Sequence, residues 1–112
     1  MTLFVIAAAL LAPSPVSAAE ASGRDMRCLI VSFELADNKD KELETAGLLA
    51  SQYFLGRIDG RSPEADFEAL LVREAERMTE AEKSGLIASC LKQIEDRNKL
   101  LEALGTKVAG AK

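Results

Sequence analysis

Residues 25 to 36 read Asp-Met-Arg-Cys-Leu-Ile-Val-Ser-Phe-Glu-Leu-Ala, and this stretch decides the fold. Met26, Leu29, Ile30 and Phe33 fall at i, i+3, i+4 and i+7, the spacing that a helix gathers onto one apolar face. Asp25 is a favourable N-cap ahead of the run. Asp37-Asn38-Lys39-Asp40 reads as a turn behind it. One step around from the stripe stands Cys28, and the chain's other cysteine, Cys90, lies 62 positions further on. The opening helix therefore carries both an apolar face and one end of a long-range link.

Working outward, the same period recurs. A second helix is expected over 41–59, with Leu43, Ala46, Gly47, Ala50, Phe54 and Ile58 as its stripe and Leu49 and Tyr53 beside it. Gly47 costs helix propensity, so its expected use is a close approach of two helices. Gly60 reads as the C-terminal stop. Ser62 and Pro63 read as N-cap and first residue of a third helix reaching about Met78, with Phe67, Leu70, Leu71 and Ala75 inward. Thr79-Glu80-Ala81-Glu82 is a capping box that opens a fourth. That helix presents Leu86, Ile87, Cys90, Leu91, Ile94, Leu101 and Leu104, stops at Gly105, and leaves 106–112 as a frayed tail. Each stripe is hidden only against the others, so the expected fold is all-α, a small four-helix array around one core, closed by a Cys28–Cys90 disulfide.

The segment before the first helix reads as an address. Leu3 to Ala12 is an uninterrupted apolar run, followed by Pro13 and Pro15 and by small residues at Val16, Ser17, Ala18 and Ala19. That order is the signature of a secretory signal peptide, with cleavage after Ala18 or after Ala19 fitting equally well. A membrane span needs about 20 apolar residues, and this run is too short. The expected organisation is a leader over 1–18 and one helical domain over 19–112, its ordered core spanning 24–105. The expected location is periplasmic or secreted. In such a compartment a cysteine pair is a disulfide by default.

Composition removes several classes of function. The chain has 112 residues, 14 basic and 18 acidic, for a net charge of −4, and has neither histidine nor tryptophan. Without histidine there is no Ser-His-Asp catalysis and no histidine-held metal or haem, and two lone cysteines make a poor metal cage. No basic tract suits nucleic acid. Ser32, Ser51, Ser84 and Ser89 have no base to activate them. Glu64, Asp66, Glu68, Glu74, Glu76, Glu80 and Glu82 alternate with Ala and Arg on expected outer faces, which reads as a solvated surface rather than as the paired carboxylates of a hydrolase. The expectation is a protein that is not an enzyme and needs no cofactor or metal.

The most distinctive segment is Tyr53-Phe54-Leu55-Gly56-Arg57-Ile58-Asp59-Gly60-Arg61. Arg57 and Arg61, with Tyr53 and Asp59 beside them, form a candidate binding surface for a carboxylate or phosphate. The alternative is structural: Phe54 and Ile58 in the core, Gly60 as a cap, and the arginines at the helix C-terminal dipole.

A leader, a short helical mature chain and one disulfide joining early and late helices resemble the layout of the HdeA-type periplasmic acid-stress chaperones. The Tyr-Phe-x-Gly-Arg-x-Asp-Gly run at 53–60 is similar to that of small exported helical proteins of alphaproteobacteria, a likeness that brings no function with it. The first resemblance implies client binding in the envelope, with a protein partner. The other expectations are a small-ligand or anion-binding module at Arg57 and Arg61, and, more remotely, a carboxylate-based cell-wall hydrolase.

Overall fold

The computed structural model describes residues 17–111, so the expected leader lies almost wholly outside the described residues. These form four helices and no strand: α1 (Ala18–Ala36), α2 (Lys41–Arg61), α3 (Phe67–Arg77) and α4 (Glu80–Gly110). Local chemistry explains the four starts. Ser17 Oγ accepts from the Glu20 N–H at 3.1 Å, and Asp40 Oδ1 accepts from the Glu42 N–H at 2.9 Å. Asp66 Oδ1 accepts from the Ala69 N–H at 3.0 Å, and Thr79 Oγ1 from the Glu82 N–H at 3.2 Å. Each side chain satisfies a first-turn donor that has no partner within its helix.

Four expected boundaries move. α1 starts at Ala18 rather than at Asp25, because Ser17 supplies the cap and Asp25 is drawn into the interior. α2 runs through Gly60 to Arg61, where Ser62 becomes its C-cap. α3 opens at Asp66, not at Ser62-Pro63, because the Ser62 carbonyl is taken by a turn from the Ala65 N–H. α4 continues through Gly105 to Gly110, so 106–110 is helix rather than frayed tail. No glycine among the described residues adopts positive φ, so Gly60 and Gly105 do not act as left-handed stops.

The helices are arranged around α1, which touches all three others; α2 also meets α4, while α3 packs on α1 alone. The core consists of Met26, Cys28, Leu29 and Val31 from α1, Ala50, Phe54 and Ile58 from α2, and Cys90 from α4. Phe54 and Ile58 are fully buried. The Cys28 and Cys90 sulfurs lie at bonding distance, 2.06 Å, across a Cα separation of 5.6 Å. Lys83 Nζ reaches Glu34 Oε1 at 2.8 Å, so α4 runs antiparallel to α1 from the end of that helix toward its middle.

The expectation of one compact core is corrected at α4. Ile87, Cys90 and Ile94 pack on the core, but Leu101 and Leu104, expected in the same core, are 65% and 52% exposed. At 31 residues α4 is about 46 Å long, and every residue of it from Asn98 to Gly110 is exposed. The molecule measures 69 × 49 × 29 Å with a radius of gyration of 18.7 Å, against about 13 Å for a compact chain of this size. No helix among the described residues is long and apolar enough to cross a membrane.

Candidate functional site

α1 carries polar residues on two sides of its N-terminal half, and each side meets arginines from another helix. Toward α2, the buried Asp25 carboxylate accepts from Arg57 Nε at 3.1 and 3.2 Å and from Arg61 Nη2 at 2.9 Å. Arg61 Nη1 also donates to Ser22 Oγ at 3.3 Å, and Arg57 Nη1 to the Tyr53 hydroxyl at 3.3 Å. The Arg57 guanidinium stands 5.7 Å from the centre of the Tyr53 ring. Partial burial pulls the Arg57 pKa down, but bonding and charge attraction from Tyr53 and Asp25 outweigh it, so the group is held above its ordinary value. A buried carboxylate is tolerable only with such partners; losing them would strand an uncompensated charge.

The structure thus brings together three of the four residues singled out in the sequence, around an acceptor that was read as a helix cap. Arg57 and Arg61 converge on Asp25 and Tyr53 holds Arg57 from the side, while Asp59, two positions from each arginine, is exposed on a different face. Helical spacing makes this unavoidable, since residues two apart lie about 200° around the axis. The donors of Arg57 and Arg61 are largely engaged inside the molecule. What remains on the outside is a small cleft of about 280 Å³ where Tyr53 and Arg57 meet Gln93, Asp96 and Arg97 of α4.

Toward α3 lies a cluster that sequence reasoning missed. Glu74, expected on an outer face, is 5% exposed. Its carboxylate faces Arg27 Nε at 3.5 Å, Arg73 Nε at 3.2 Å and Arg77 Nη1 at 4.0 Å. Gly23 lets α3 come this close: a Cβ there would stand 3.3 Å from Glu74 Oε1. The signal was present, because Glu20, Gly23, Arg24 and Arg27 fall at i, i+3, i+4 and i+7, and Arg73 and Arg77 at i and i+4. It is a polar stripe, invisible to a search for apolar ones.

The third feature is the far half of α4. Ile87, Ile94, Leu101 and Val108 recur every seven residues, with Leu104 three after Leu101. The first two are covered by the core; Leu100, Leu101, Leu104 and Val108 are all exposed. A helix of this length keeps its shape in water chiefly by burying such a face, and here that face is uncovered among the described residues.

No protein-family model matches the sequence, and searches of curated proteins and of solved structures find no match.

Proposed function

We propose that this protein is a non-catalytic, exported binder of other polypeptide chains, docking them on the apolar face of α4 beyond Ile94. The observation that carries this reading is the stripe of Leu100, Leu101, Leu104 and Val108, which continues a face that is core between Ile87 and Ile94. The occupant that fits is a partly unfolded chain exposing apolar segments, since the face is aliphatic and carries no pattern of alternating charge. Support for export comes from the apolar run Leu3–Ala12 with its small residues and from the cysteine pair. The sequence has no histidine, and the two buried carboxylates among the described residues, Asp25 and Glu74, are engaged by arginines.

Acid is the condition that would strengthen such binding. At pH 2, below the ordinary carboxylate range, the side-chain charge swings from −4 toward +14. The resulting repulsion loosens the helices and bares more of each stripe. The test follows light scattering of acid-denatured malate dehydrogenase at pH 2–3 and at pH 7, with and without the oxidised protein. Suppression by the wild type, reduced at least severalfold in Leu101→Glu/Leu104→Glu, is the expected result. Aggregation unchanged by the wild type at either pH overturns the proposal.

A further inference from the structure

The cleft between α1 and α3 has more positive charge than its own carboxylates use. It is lined by Ala19, Glu20, Gly23, Arg24 and Arg27 of α1 and by Arg73, Glu74 and Arg77 of α3, and encloses about 440 Å³. Four guanidinium groups face two carboxylates, so the lining carries two positive charges in a chain whose net charge is −4. If these arginines served only to neutralise Glu74, Arg27 and Arg73 would suffice. Arg77 touches it only at 4.0 Å with its side chain 72% exposed, and Arg24 makes no ion pair among the described residues. Arg27 Nε is buried and donates no hydrogen bond. Ala19 and Glu20, at the start of α1, close one end of the cleft.

We infer that this cleft binds a phosphate group, as free phosphate or as the headgroup of an anionic lipid. Inorganic phosphate near neutral pH carries between one and two negative charges and a lipid phosphodiester carries one; the surplus neutralises either, and the oxygens of both suit the planar forks of several arginines. Glu74 is the floor that holds Arg27 and Arg73 in place; Arg24 and Arg77 are the free rim that closes on the anion. The inference is independent of the α4 face and stands or falls separately.

Titration calorimetry at low salt, on the protein as purified from its native cells, tests it with two probes: inorganic phosphate and vesicles containing phosphatidylglycerol. The variant is Arg24→Gln/Arg77→Gln, which changes exposed side chains only and whose helix content is checked by circular dichroism. The expected result is saturable binding of at least one probe, weakened tenfold or more in the variant and by added salt. Binding of phosphate alone assigns a soluble ligand; binding of vesicles lost in the variant assigns a headgroup. Absence of binding to both probes, or binding that the variant retains in full, overturns the inference. Lys99→Gln, on the far half of α4, should leave binding unchanged.

Discussion

Gly47 sits where α2 passes the end of α1. A Cβ built on it would stand 2.7 Å from Ala36 Cα and 2.8 Å from Leu35 C, and nearer still to Ala36 N. These are backbone atoms and cannot rotate away. Gly47→Ala should therefore destabilise the protein by on the order of 2 kcal/mol, because overpacking outweighs the gain in helix propensity. Gly56 lies in the same helix with nothing within 4 Å of such an atom, so Gly56→Ala should stabilise by about 0.5–1 kcal/mol. Urea unfolding of both variants checks the pair, and equal effects would refute the close approach. The use of Gly47 was legible in the sequence, since glycine in an apolar stripe has few other reasons to be there. The role of Asp25 was not. Its local context reads as a cap, and only arginines 32 and 36 positions away reveal it as the acceptor of a buried cluster.

At the scale of elements, the sequence carried the number of helices, the turn at 37–40 and the start of α4, because each is set by apolar period and caps within a few residues. It placed the C-terminal ends of α1 and α3 but not those of α2 and α4. Gly60 and Gly105 read as terminators, but a glycine ends a helix only if the chain turns left-handed there, and neither does. How α4 is aligned on α1 is equally non-local. Part of that alignment is electrostatic: Lys83 bonds Glu34 across the helix pair and Glu80 within α4. These bonds, that to Glu34 first, raise the Lys83 pKa above its ordinary value. A raised lysine stabilises the fold fully below its unfolded pKa of about 10.4 and loses that contribution as pH rises through the higher folded value. Thermal melts of wild type and Lys83→Gln should therefore differ at pH 7–9 and converge above about pH 10.4. A gap that persists undiminished at pH 11.5 would mean that the lysine acts through packing of its stem instead.

For the whole molecule the decisive point is how little holds α4. Cys90 is its one buried residue; Leu86, Ile87 and Ile94 are partly covered, and everything beyond them is exposed. The Cys28–Cys90 bond closes a separation of 62 residues, worth about 4 kcal/mol in the chain-entropy account. With eight buried apolar residues among those described, that is a large share of the total. Cys28→Ser/Cys90→Ser should lower the midpoint of thermal unfolding by roughly 15–30 °C, given about 4–8 °C per kcal/mol for a domain of this size. The loss should also be uneven. α1 and α2 share the bulk of the core and a short connection, so their hairpin should outlast α4. Limited proteolysis of the double variant below its melting range should cut first within α4, while fragments spanning α1 and α2 survive. A midpoint within a few degrees of wild type, with α4 equally protected, would show that the bridge is incidental. In that case the anchoring would fall to Ile87, Ile94 and the Lys83–Glu34 pair, and the exposed half of α4 would have to be held by a partner even in the resting protein.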